Sequence, residues 1–247
     1  MIVDVHAHLG IDYTFGDIFS RRLLIDKIGD HGVDIQIVQP GTTHEADEAA
    51  SQHDDISALC REYPGKFYGM ANPSPHLRGQ LYESEIARCV EELGFVGIKL
   101  HPYAHGVHPV SEAGRRAFDA ARKYGIPLMV HTGAGYPFSA PVHIIGLAKE
   151  YPDVKIIMAH CGNMIFADEV TAVFENCPNA YGDTSWTPGY LMMNWAGRFG
   201  NRLMLASDLA ANIGTELAKI RTYGFSECEQ EAMLGKTALG VYKLPTA

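Results

Sequence analysis

Ile2-Val-Asp-Val-His-Ala-His8 is a short apolar run that ends on two histidines, and the same kind of ending recurs down the chain. Lys99 lies within Val96-Gly-Ile-Lys-Leu100, His131 follows Pro127-Leu-Met-Val130, His160 follows Val154-Lys-Ile-Ile-Met-Ala159, and Asp208 follows Arg202-Leu-Met-Leu-Ala-Ser207. His6 and His8 are two residues apart on a strand, so their side chains share a face and can grip one ion together. Six groups able to ligate a divalent ion, always at the same end of a strand-like run, require a fold that gathers strand ends.

Working outward from these runs, strands are expected near 2–8, 33–39, 67–72, 95–101, 127–132, 154–160, 180–185 and 202–207. Their apolar character is nearly continuous, as in parallel strands covered on both faces. Between them apolar residues recur at intervals close to one helical turn, as in Ile18, Leu23, Leu24 and Ile28, in Leu81, Ile86, Val90 and Leu93, and in Ala117, Ala120 and Ala121. That spacing predicts helices. Glycine follows His31, Leu93 and Tyr124, where a left-handed helix cap without a Cβ clash is needed.

Eight strand–helix units predict an α/β protein: one domain over 1–247, a (β/α)8 TIM barrel, preferred to an open doubly wound sheet because eight parallel strands close on a side-chain-filled interior. The length of 247 residues suits a barrel, which needs about 250. Glu227 to Tyr242 is expected to form a terminal helix against the barrel exterior.

Composition narrows the function. Apolar residues at 47% can fill such a core, and a net charge of −9 repels a polyphosphate, which argues against a nucleic-acid partner. Five cysteines with no Cys-x-x-Cys pair speak against a disulfide framework or a zinc knuckle and suit the cytoplasm. Neither a secretion signal nor a membrane-length apolar segment is visible, so no membrane partner is expected. Leu234-Gly-Lys-Thr237 resembles the end of a phosphate loop, but Gln230 stands where that loop needs glycine.

The ordered series Asp4-Val-His-Ala-His8, Gly97-Ile-Lys-Leu-His-Pro102, Val130-His-Thr-Gly133, Met158-Ala-His-Cys-Gly162, Asp183-Thr-Ser185 and Ala206-Ser-Asp208 resembles the metal-dependent amidohydrolase superfamily. The similarity is greatest to its amidohydrolase-related (amidohydrolase 2) branch and covers nearly the whole chain. It implies that His6, His8 and Asp208 bind the more buried metal and that His131 is a ligand. His160 would bind a second ion or contact substrate and water. Lys99 is carbamylated and bridges two metals in some branches; an unmodified ammonium beside a cation would be repelled, so Lys99 would be carbamylated, neutral or turned away.

The expected cofactor is therefore a divalent metal, zinc first and manganese or another divalent ion next: one ion, or two with a carbamylated Lys99. Asp208 and His160 are the candidate catalytic groups. The first expectation is a hydrolase that uses metal-activated water on an amide, ester or lactone of a small, cyclic or aromatic substrate. The alternative is a non-oxidative decarboxylase or hydratase at the same site, and a catalytically inert binding barrel is a third reading that the intact ligand series opposes.

His101 is well placed for substrate contact, whereas His105 and His108 are expected to be solvated and Cys161 to pack. Tyr103, Tyr136-Pro-Phe138 and Trp186 are expected to wall the pocket with aromatic surface, although such residues could equally fill a homodimer interface.

Overall fold

The computed structural model describes residues 1–245. Nine strands follow one another: β1 (Val3–Asp12), β2 (Asp17–Phe19), β3 (Ile35–Pro40), β4 (Phe67–Ala71), β5 (Gly97–Leu100), β6 (Leu128–His131), β7 (Ile156–Ala159), β8 (Ala180–Asp183) and β9 (Leu203–Met204). All except β2 pair in parallel, in the order β1-β3-β4-β5-β6-β7-β8-β9. The ring closes beyond β9, where Val5 N donates to Leu205 O (2.9 Å), Asp208 N donates to His6 O (2.7 Å) and Ala7 bridges Asp208. The fold is the expected TIM barrel, with strands at all eight predicted places.

Side-chain parity explains what points inward. Met129, Ile157, Met204 and Ala206 fill the barrel interior, while Leu128, Val130, Ile156 and Met158 pack beneath the outer helices. On β1 a register irregularity between Asp4 and Ala7 breaks the alternation. Val3 and Val5 therefore belong to the interior, whereas Ala7 and Leu9 belong to the outer layer. This change of parity turns His6 and His8 to the barrel mouth directly after Val5.

The predicted helix caps form: Gly32 (φ 65°) and Gly125 (φ 62°) close the helices Arg21–His31 and Glu112–Tyr124 in the left-handed conformation.

Three local expectations are corrected. Ile18 lies not in a helix but in β2, which pairs antiparallel with the end of β1 and extends that strand to Asp12. Asp12 builds the connecting turn, its Oδ1 accepting the amides of Thr14 and Phe15 and its Oδ2 that of Thr42, each at 2.9 Å. The carboxyl-terminal helix forms over Glu227–Tyr242 as expected, with a π turn at Ala232–Lys236, but its end does not lie on the barrel exterior: Ala238, Val241 and Tyr242 join the interior cluster at the barrel floor. His105 is buried rather than solvated, at 2% exposure. Among the described residues, no helix is long and apolar enough to cross a membrane.

Candidate active site

His6, His8, Lys99, His131, His160 and Asp208 all meet at the carboxyl ends of the barrel strands. Five of them, with Asp12, Phe15, Asp17, Phe19, His101 and Leu209, line a cavity of ≈ 210 Å³. His6 is fully buried beneath it. His6 Nε2, His8 Nε2 and Asp208 Oδ1 form a triangle with sides of 3.1, 3.1 and 3.3 Å.

Hydrogen bonds behind the rings decide what that triangle can do. His6 Nδ1 donates to Asp183 Oδ2 at 2.7 Å, and His8 Nδ1 donates to the carbonyl of Pro40 at 3.3 Å. Both rings thus carry their proton on Nδ1 and turn an unprotonated Nε2 towards the other, that of His8 also accepting from Gln39 Nε2 at 3.1 Å. His160 repeats the arrangement through a relay: its Nδ1 donates to Ser185 Oγ (2.8 Å), which donates to Asp183 Oδ1 (2.6 Å).

Asp183 therefore orients two histidines from one buried carboxylate, and its Oδ1 also accepts the amides of His160 (2.9 Å) and Ser185 (3.1 Å). Burial raises its pKa, against the pull of His160 and Ser185. Asp4 has a comparable role in the layer beneath. It accepts from Gln36 Nε2 (2.7 Å) and Ser207 Oγ (2.6 Å) and so ties β1 to the segment that carries Asp208; burial pushes its pKa up to about 6.

The electrostatics favour ligation. Burial, then Lys99, hold His6 well below the ordinary imidazole range. Burial takes His160 down to about 4. Asp208 resists its own burial: the surrounding imidazoles of His160, His6 and His8 hold its carboxyl well below the usual range. Near neutrality His6 and His160 are thus uncharged imidazoles facing the Asp208 carboxylate, a donor set that suits a divalent cation.

The triangle also fits in size, since ligand atoms about a tetrahedral or octahedral ion stand roughly 3.0–3.4 Å apart. His6, His160 and Asp208 likewise bring one ligand atom each within 4.8 Å of the others.

Lys99 and His131 occupy different positions from these. Lys99 is not turned away: its Nζ is 3.2 Å from His6 Nε2 and 3.7 Å from Met129 Sδ, and burial lowers its pKa to about 8, towards the neutral amine. His131 Nε2 donates to Ala134 O at 2.9 Å, within its own loop. Its ring stacks on His101 at 3.9 Å between centroids. The loop can turn so sharply because Gly133 (φ 106°) sits against Asn163, 2.9 Å from where a Cβ would be.

Expectations for the outer residues hold only for some of them. His101 does line the cavity, whereas the aromatic wall comes from Phe15 and Phe19 of the first hairpin. Tyr136 instead stacks on Phe166, and Tyr103 stacks behind Phe15. Trp186 acts on Asp208 directly, donating from Nε1 to Oδ2 at 2.7 Å. Its backbone lies in the left-handed region (φ 59°), as do those of Asp208 (φ 62°) and His160 (φ 64°), so unfavourable conformations cluster on these loops.

Asp183 and Ser185 belong to the sequence series, but their role emerges only in three dimensions. The signal available was an acidic residue at the end of the seventh barrel strand, two residues before a serine. Phe15, Asp17 and Phe19 left no signal, because the local spacing conceals the hairpin that carries them.

The amidohydrolase 2 family model matches residues 3–244, and the chain belongs to this family of TIM-barrel enzymes. Among solved structures it is similar to 2,6-dihydroxybenzoate decarboxylase from Rhizobium, at 18% identity and a TM-score of 0.80 over 98% of each chain. A dihydroxybenzoic acid decarboxylase from Polaromonas, with bound manganese and the inhibitor 2-nitroresorcinol, matches at 16% identity and 0.80 over 100% of this chain and 98% of the other. The 5-carboxyvanillate decarboxylase of Sphingomonas paucimobilis matches at 14% and 0.76 over 99% of each. No curated protein matches in sequence.

Proposed function

We propose that the chain is a metal-dependent, non-oxidative decarboxylase of a small hydroxylated aromatic acid. The observation that carries this reading is the triangle of His6 Nε2, His8 Nε2 and Asp208 Oδ1. Its lone pairs converge without a hydrogen atom between the rings, at the floor of a pocket walled by Phe15, Phe19 and His101. The decarboxylases among its fold neighbours favour carbon–carbon cleavage over hydrolysis.

His6, His8 and Asp208, with His160 beside them, would hold one manganese or zinc ion. A single ion suits the turn of His131 towards Ala134. When bound, the ion supplies a Lewis acid that fixes and polarises the oxygens of the substrate.

This chain's own groups do the rest. Phe19 at the cavity wall would hold the ring, and His101, whose Nδ1 accepts the Ala104 amide at 3.2 Å, would offer its Nε2–H as a neutral donor. Asp208 takes the acidic proton of the substrate and returns it to the ring carbon as the bond to the carboxyl group breaks. The electron pair of that bond receives the proton, and carbon dioxide leaves. Atoms balance without an oxidant or added water.

The family description supports a second reading, hydrolysis of an amide, ester or lactone at the same centre. We read residues 1–247 as one catalytic unit working in the cytoplasm, which suits five free cysteines. Incubation of the manganese- or zinc-loaded protein with 2,6-dihydroxybenzoate and 5-carboxyvanillate separates the two chemistries. Release of carbon dioxide without ¹⁸O uptake from solvent is expected; ¹⁸O in the product of an ester or lactone panel, with no carbon dioxide from either acid, would overturn the proposal.

A further inference from the structure

A second cavity, ≈ 290 Å³ in volume, lies against the first and shares four lining residues with it: His8, Asp17, Phe19 and Leu209. Beyond these, four of its five lining residues are apolar. Ile18 is 77% exposed and Leu23 42%, and Ala210 and Ala211 complete the surface. The hydroxyl of Ser20, also at this wall, is engaged in capping the helix Arg21–His31 by accepting the amide of Leu23.

Phe19 lines both chambers. Phe19 stacks on His8 at 4.8 Å with 29° between planes, so the face of a metal-centre histidine and the edge of the outer chamber meet at the same side chain. Leu209, directly after Asp208, also borders both cavities. A molecule seated on His8 and Asp208 thus has an apolar space one ring's width away, and that space offers no cation to pair with a second charged group.

Resting on the reading above, we infer that the outer chamber receives an uncharged apolar arm of the substrate. The substrate is then a hydroxyaryl acid that carries an alkyl or alkenyl substituent, its polar head in the inner cavity and its arm along Ile18, Leu23 and Ala211. Exposed Ile18 and Leu23 leave water when the arm enters, which is the source of the affinity.

The test compares resorcinol with 4-hexylresorcinol on the full-length, zinc-loaded chain, by calorimetry and by the methyl resonances of isoleucine, leucine and alanine. The hexyl compound is expected to bind at least tenfold more tightly and to move the methyls of Ile18, Leu23 and Ala211, which resorcinol leaves in place. Ala211→Trp should reduce the tenfold gain to under twofold with the resorcinol Kd unchanged. Ile18→Asp, at a solvent-facing position that tolerates charge, serves should the first variant fold poorly.

Survival of the full gain in both variants, or hexyl binding without movement of the Ile18 and Leu23 methyls, overturns the inference. So does a dimer that Ile18→Asp dissociates, because a second copy would then be the occupant. Movement of those methyls by the hexyl compound, with no resorcinol binding in the inner cavity, would retain the chamber and sink the head-group reading instead.

Discussion

Two groups of potential ligands, His6–His160–Asp208 at the barrel mouth and His53–Glu85–Cys89 between outer helices, each hold their donor atoms within 4.8 Å of one another. They differ in where the hydrogen atoms go. In the outer group His53 Nδ1 donates to Glu85 Oε1 (2.6 Å), while its Nε2 accepts the amide of Asn72 (3.0 Å). Glu85 is further held by Arg88 at 2.8 Å, and burial raises the pKa of the Cys89 thiol. Each lone pair there already has a hydrogen, and a guanidinium stands beside the carboxylate. At the mouth, Asp183, Pro40 and Ser185 take the Nδ1 protons and leave three unprotonated Nε2 atoms facing inward, where Gln39 Nε2 stands 3.1 Å from His8 and Lys99 Nζ 3.2 Å from His6. Proximity and burial do not separate the two groups; the orientation of unprotonated Nε2 atoms towards one another and a carboxylate at the mouth does.

The largest effects should come from removing a member of the mouth. Asp208→Asn keeps the shape but loses the charge and the proton carrier, so turnover should fall by about 10³-fold or more with the barrel still folded. Wild-type kcat in that variant with metal bound would sink the assignment of Asp208. Zinc should raise the Tm of the wild type and of His53→Ala but not that of His6→Ala. A thermal shift lost in His53→Ala would mean that the contrast between the two groups has been drawn backwards.

An intermediate effect is expected behind the ligands. Asp183→Asn removes the negative acceptor that fixes the Nδ1 protons of His6 and, through Ser185, of His160. Metal affinity should fall about 10–100-fold, as measured by chelator competition. Ser185→Ala should cost less, since His6 keeps its own bond to Asp183. Equal losses in the two variants would show that Asp183 acts through His160 alone.

How much of this was legible follows from what each residue depends on. His6, His8, Lys99, His131, His160 and Asp208 sit at strand ends, and strand ends show in local apolar runs, so barrel and mouth could be read together. The β1–β2 hairpin could not. Ile18 stands just ahead of Leu23, Leu24 and Ile28 and is easily read into their helix, and only pairing with Ile11 shows that it is a strand residue. The floor plug was hidden for a related reason, as nothing local to Tyr242 shows that Met70 and Gly97 lie beside it. The division among ligand candidates was also out of reach, because the turn of His131 towards Ala134 and the relay from Asp183 are long-range or loop-specific hydrogen bonds.

The smallest effect concerns the outer group, and it is one of stability. Burial raises the pKa of Glu85, but hydrogen bonds from His53 and Arg88 outweigh it and bring the carboxyl from 4.5 down to about 2. Between those values the unfolded chain binds more protons than the folded one. The stabilisation is therefore complete above about pH 4.5 and is lost as pH falls towards 2. At 1.36 kcal/mol per unit the shift sets a ceiling of ~3 kcal/mol, and solvent around Arg88 and Asp54 reduces the expected contribution to ~1–2 kcal/mol. Glu85→Gln should lose that amount at pH 7 in urea unfolding, converge with the wild type near pH 2, and leave zinc affinity unchanged. A difference between the two proteins that stays constant from pH 7 to pH 3 would mean that Glu85 stabilises by packing alone, and that His53 and Arg88 do not hold it as an ion.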